Sequence, residues 1–430
     1  MITPDSISSL IPTKSNKLTS LFTATLAILA TSCAAQASPV ENFGQDLQGL
    51  QNAFNQKKVH VLQLGDSHTA GDFLTDQLRK RLQQDIGDGG LGFAYPMAVK
   101  GQRVARHGYD VTGWRLSNSR FDKNEDYPLG GMVATSSSSS GRLTVTSQYY
   151  NNDQQQARIV VKGLSGQSIK ISDANGTREL PLSTSGWQTI NTPIVFPYTI
   201  QADAGTKVGG AWINKGTGGT VSALGINGAT QSYWQRWHSQ LPQDLAASEA
   251  DLVILAYGTN EAFQSNADDQ KQITKQAIAT VRQGLPSASI LVLGAPESLK
   301  STGGSCGTRA TSLDNVQSQL RQAAQESGVL YWSWEEAMGG RCSMKSWISQ
   351  GLGASDGVHF TRSGYERTAN ILYSDLKQLL SSSNGLGSKL SHIPSFSNST
   401  PNIVPATPSV SNEANSLLKD SSTVTIRPVK

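Results

Sequence analysis

The sequence predicts an α/β protein built on a mostly parallel sheet and interrupted by a β-sandwich. Three observations carry that expectation. Short, unbroken apolar runs at 59–64 (VHVLQL), 252–257 (LVILAY) and 290–294 (ILVLG) are each followed by apolar residues at helical spacing. Residues 115–222 show neither pattern and instead carry short β-branched runs. The 430-residue length also exceeds what one ordinary domain uses.

The run at 59–64 ends at Gly65 and reads as a strand buried on both faces. Phe73, Leu74, Leu78, Leu82 and Ile86 then predict a helix over 72–86. The pattern resumes at Asp251 with the strand at 252–257, and Ile273, Ala277 and Val281 mark the next helix. A strand at 290–294, a helix through Leu313, Val316 and Leu320, a short strand at 329–332 and a helix over 362–380 complete the series. Such alternation implies right-handed crossovers and a sheet covered on both faces. Chemistry in such folds sits at the carboxyl ends of the strands. Between these halves, runs at 143–149, 158–162, 168–172, 189–196 and 199–203 are broken by Gly, Asn, Asp and Ser, as in a sandwich. The stretch 135–140 (TSSSSS) is low in complexity and is expected to be a flexible loop.

The two ends point to export. Lys14 and Lys17 precede an apolar stretch at 18–31 that is short for a membrane span, and Ala35-Gln36-Ala37 offers a cleavage pattern before Ser38. Residues 1–37 are therefore expected to be a signal peptide; a retained anchor helix and a lipoprotein signal ending at Cys33 are the alternatives. Cys306 and Cys342 are the two other cysteines, an even number, and an oxidising compartment favours a disulfide over two free thiols. Residues 385–430 are rich in Ser, Asn, Pro and Thr without apolar periodicity and are expected to form a disordered tail. The net charge of +4 is spread out, with no basic block of the kind that binds nucleic acid.

Four short elements lie at rim positions of the expected sheet. Gly65-Asp66-Ser67-His68 follows the first strand, where a serine hydroxyl is exposed and helix amides favour developing negative charge. Alone, this serine equally fits a helix cap. Gly225-Ile226-Asn227-Gly228-Ala229 follows the β region, and its glycine lets a backbone amide approach a ligand; it also fits an ordinary turn. Gly258-Thr259-Asn260 follows the second strand, and the Asn carboxamide can donate to an oxyanion or simply shape a turn. Asp356-Gly357-Val358-His359 places a carboxylate and an imidazole on one loop. Of the six histidines, His359 alone has Asp three residues before it. An imidazole of this kind takes a serine proton while the carboxylate fixes its tautomer. No metal-ligand spacing occurs, and no cofactor is implied.

Together these elements resemble the blocks of the SGNH (GDSL-like) hydrolase superfamily, over roughly residues 57–114 and 223–382. The resemblance implies a flavodoxin-like three-layer hydrolase domain in two parts, 38–114 and 223–384, around a jelly-roll-like insert at 115–222. It implies Ser67 as nucleophile, Asp356 and His359 as its partners, and an oxyanion hole of the Ser67 amide, the Gly228 amide and the Asn260 side chain. His68 stands where GDSL lipases carry Leu, and Glu261 where many relatives carry Asp. GDSHTAGD, GINGA and GTNE with an inserted β domain look like the bacterial peptidoglycan O-acetylesterases. That likeness implies a secreted or periplasmic monomer whose insert resembles a carbohydrate-binding module. The implied reaction removes acetyl from the C6 hydroxyl of N-acetylmuramic acid through an acetyl-serine. Acetyl transfer to a sugar, action on another acetylated polysaccharide, and a wall-binding protein without activity remain alternatives.

Several other residues carry a second reading besides chemistry. His68 and Asp72 suit polar positions of a helix's first turn. Tyr149, Tyr150, Trp187 and Trp212 can stack on sugars but better suit core packing, as do Tyr233, Trp234 and Trp237. Glu335 and Glu336 form an acidic pair with no other sign of glycosidase chemistry.

Overall fold

The structure, a computed structural model, describes residues 40–237 and 240–382. The expected signal at 1–37, Cys33, Ser38 and the tail at 385–430 lie outside the described residues.

The main sheet orders its strands Val40–Asn42, Leu330–Trp332, Ser289–Leu293, Leu252–Ala256, Lys58–Gly65 and Gly218–Gly225. The first is an antiparallel edge and the others pair in parallel. Counted in chain order, the parallel strands lie 2-1-3-4-5, the flavodoxin-like arrangement. Alternate residues serve opposite faces. Leu62, Leu64, Val253 and Val292 join a core with Ile278, Val281, Val316 and Leu320 from the helices Gln270–Gly284 and Leu313–Ser327. Val61, Ile254 and Leu291 join a second core with Leu74, Leu78, Leu372 and Leu376 from the helices Phe73–Ile86 and Arg362–Ser382. Burial on both faces is why these strands read as unbroken apolar runs.

Two antiparallel sheets form the sandwich. One orders Gly176–Pro181, Ser168–Asp173, Tyr198–Ala202, Arg142–Thr146 and Gly108–Thr112. The other orders Trp187–Val195, Gln154–Lys162, Lys207–Asn214, Met132–Ser136 and Trp114–Asn118, and Gly92–Ala94 pairs with its central strand. Leu143, Val145, Ile159, Val161, Ile169, Ile171, Phe196 and Ile213 fill the space between them.

The sandwich strands therefore begin upstream of residue 115. Gly218–Gly225, inside the range expected for the insert, instead runs beside Lys58–Gly65 in the main sheet. The expected loop at 135–140 is part strand: Ser136 is buried and donates from Oγ to Ser138 O at 2.9 Å and Ala202 O at 3.1 Å. The outer face of the second sandwich sheet is not free. Phe93, Tyr127, Trp187 and Trp212 share a cluster with Leu62, Leu64, Leu224 and Leu245, so the two tryptophans are packing residues. Tyr150 is buried as well, whereas Tyr149 is 65% exposed.

Candidate active site

Three adjacent strands, Lys58–Gly65, Gly218–Gly225 and Leu252–Ala256, end level with one another. Gly65 pairs with both Gly225 and Ala256, and the Ile226 amide donates to Gly65 O at 3.1 Å. The loops that follow are those of Ser67, Gly228 and Asn260. This is the crevice where the strand order reverses, the position in which open α/β sheets bind ligands.

Ser67 opens the short helix Ser67–Ala70, and the Asp66 carboxylate caps it by accepting the His68 amide at 3.0 Å. A side chain at Gly65 would lie 2.3 Å from Thr69 Oγ1 and 2.6 Å from Ala256 O, so only glycine allows this turn. Burial pushes the Asp66 carboxyl up to about 7.

His359 joins both partners. Its Nε2 lies 2.9 Å from Ser67 Oγ and its Nδ1 lies 2.7 Å from Asp356 Oδ2. Asp356 Oδ1 accepts the Val358 and His359 amides at 2.8 and 2.9 Å, which shapes the loop around the pair. Burial pushes the Asp356 carboxyl up, but the His359 ring and these amides outweigh it and hold the group well below the usual carboxylate range. With Nδ1–H donated to Asp356, Nε2 is the nitrogen left free to accept a hydrogen bond from the Ser67 hydroxyl.

Asn260 Nδ2 donates to Ala229 O at 2.9 Å, tying the helix Thr259–Ala262 to the Gly228 turn. Among the described residues, neither the Ser67 nor the Gly228 amide donates a hydrogen bond. Glu261 is buried and accepts the Gly258 amide at 3.0 Å and the Gln231 amide at 2.7 Å; burial pushes it up to about 7. It supports the rim rather than facing it.

His68 is enclosed by rings. Trp334, His359, Phe360 and Tyr365 lie 5.2–5.9 Å from it, and its Nδ1 is 2.9 Å from Tyr365 Oη. Burial holds this imidazole well below its ordinary value, so it backs His359 as a neutral ring. Asp72 also has a structural part, accepting the Thr75 hydroxyl at 2.6 Å and the Ala105 amide at 2.8 Å. Glu335 is bound by Arg309, far in chemistry from a glycosidase pair. Cys306 and Cys342 form a disulfide. It ties the loop of the hairpin Leu299–Ser301/Thr308–Arg309 to the start of the helix Ser343–Ser349, and the hairpin's Leu299 amide donates to Gly357 O at 2.9 Å, inside the Asp356–His359 loop. Two contributions escaped sequence reasoning: the place of His68 behind His359, and Arg120, which lies against the Gly228 turn. His68 was visible as a departure from the GDSL pattern; Arg120 carried no sequence signal.

A hydroxyl, an imidazole and a carboxylate in this order can carry out acyl transfer. The described residues contain no cluster of metal-ligating side chains.

The family model for the N-terminal part of peptidoglycan O-acetylesterases matches residues 89–199. The model for the GDSL-like lipase/acylhydrolase family matches residues 193–367. Among solved structures, one titled as a peptidoglycan O-acetylesterase in action is 42% identical with a TM-score of 0.75, covering 80% of this chain and 99% of its own. A family two carbohydrate esterase from Clostridium thermocellum is 12% identical with a TM-score of 0.30, covering 62% of this chain and 98% of its own, too distant to bear on it. No curated protein matches.

Proposed function

Because the chain belongs to the peptidoglycan O-acetylesterase family and carries its GDSL-like hydrolase domain, we propose that Ser67, His359 and Asp356 remove O-acetyl groups from peptidoglycan. The single observation that carries the assignment of these residues is the bonded chain from Ser67 Oγ through His359 to Asp356, at 2.9 and 2.7 Å.

In this reading Ser67 Oγ attacks the acetyl carbonyl carbon while His359 Nε2 takes the hydroxyl proton. The tetrahedral oxyanion accepts hydrogen bonds from the Ser67 amide, the Gly228 amide and Asn260 Nδ2. On collapse the sugar oxygen leaves with the proton from His359, and acetyl remains on Ser67. Water, deprotonated by His359, then releases acetate. Asp356 stays ionised throughout and holds the imidazole in one tautomer. The muramyl C6 hydroxyl as the acetylated position, action outside the cytoplasm, and glycan binding by the sandwich belong to the same reading.

The test is acetate release from O-acetylated peptidoglycan, run beside acetylated xylan and alginate. Preference for peptidoglycan is expected, and preference for another polymer refutes the muramyl assignment. Asn260→Ala is expected to lower kcat by about a hundred- to a thousandfold, as loss of one oxyanion donor does. An Asn260→Ala enzyme of ordinary rate removes Asn260 from the oxyanion hole.

A further inference from the structure

Arg120 belongs to the sandwich, yet its guanidinium lies on the Gly228 turn. It sits in the loop after Trp114–Asn118 and donates from Nη1 to the Asn227 carbonyl, a partner 107 residues away. A Cβ on Gly228 would lie 2.7–2.9 Å from Arg120 Cζ, Nη1 and Nη2, so the side chain covers this residue directly. Arg120 is itself held in place. Its amide donates to Asn118 Oδ1 at 2.9 Å, Arg236 donates to the Ser119 and Arg120 carbonyls at 2.9 and 3.3 Å, and the Phe121 ring lies 5.1 Å from its guanidinium. Among the described residues it has no carboxylate partner.

The Asn227 carbonyl and the Gly228 amide are two ends of one planar trans peptide, so they point in opposite directions. Whatever holds the carbonyl also aims the N–H. Gly228 has φ +71, a conformation in which glycine meets little resistance to reorienting that peptide. Neighbouring bonds hold the flanks: the Ala229 amide to Ile226 O at 3.0 Å, Asn227 Nδ2 to Gly101 O at 2.6 Å and Asn260 Nδ2 to Ala229 O at 2.9 Å. A cationic donor makes a stronger hydrogen bond than a neutral one and polarises the peptide it binds, which makes the opposite N–H a better donor.

We propose that Arg120, supplied by the inserted sandwich, is a positioning residue for hydrolysis: it holds the Asn227–Gly228 peptide with its N–H turned toward the oxyanion. The proposal rests on the oxyanion assignment above. It makes the insert part of the catalytic centre even for a substrate too small to touch it.

The test uses 4-nitrophenyl acetate with the full chain. Arg120→Met is expected to lower kcat by about tenfold to a hundredfold, short of deleting a donor outright, with KM within about threefold and the melting temperature unchanged. Arg120→Lys, which keeps a cation on a less rigid stem, is expected to recover part of that loss. Should Arg120→Met not fold, the kcat of Arg120→Lys decides, and a wild-type value overturns the proposal. Asn260→Ala separates the two claims. If it is crippled while Arg120→Met turns over normally, the proposal fails and the oxyanion assignment stands. If both are normal, the assignment itself fails. A loss confined to KM also overturns the proposal, since it would mark Arg120 as a binding group.

Discussion

Asp66 lies between the end of a strand and Ser67, and its environment has a measurable cost. Its ordinary value of 3.8 rises to about 7 on burial. Between those values the folded chain keeps a proton that the unfolded chain has released. The stability it contributes is therefore complete below about pH 4 and is lost as pH climbs to about 7. Asp66→Asn keeps the capping oxygen without the titration, so its melting temperature should gain on the wild type across this window. Parallel curves for the two proteins would contradict this. Asp356 behaves oppositely: its lowered value means its contribution is present at neutral pH and is lost only in strong acid. The motifs around Ser67 and His359 were legible because each carries its chemistry within a few positions. Arg120 was not, because an isolated arginine in a loop acquires meaning only when folding brings it to Asn227.

Strands and helices were legible where burial on both faces leaves an unbroken apolar run, as at Lys58–Gly65 and Leu252–Ala256. Gly218–Gly225 escaped because Gly218, Gly219, Ser222 and Gly225 interrupt any apolar run. Its glycines serve close approach: a side chain at Gly225 would lie 2.2 Å from the Ala70 amide nitrogen. The hairpin of Leu299–Ser301 and Thr308–Arg309 has a similar role at a distance, since it supports the Asp356–His359 loop through Gly357. The disulfide spans 36 residues, worth about 3–4 kcal/mol in the chain-entropy account. Cys306→Ser should lower the melting temperature and reduce kcat through that loop. A reduced enzyme with unchanged kcat would show that the hairpin does not position the loop.

At the scale of the whole molecule, one of the cores, on one face of the main sheet, is shared between the sandwich and the α/β layers. Trp212 is 1% exposed, lies tilted 4.6 Å from the Phe93 ring and meets His60 edge-on at 6.0 Å across the junction. Trp212→Ala should cost about 3–5 kcal/mol. Calorimetry should show one transition for both parts; two separate transitions would mean that the insert folds independently. The alternation of patterns made the two-part architecture legible, but not its junction, because a buried Trp212 reads as packing inside the sandwich and says nothing of the layer it packs against. That shared core places sandwich residues beside the crevice in which Ser67 lies. The central claim, that Ser67 carries the acetyl group between sugar and water, is tested most directly by acid-quenching the enzyme during turnover of O-acetylated peptidoglycan and sequencing its peptides by mass. One acetyl group on Ser67 is predicted, absent in Ser67→Ala, which releases no acetate. Acetate release by Ser67→Ala at the wild-type rate, with no acetyl on any Ser67 peptide, would contradict the account.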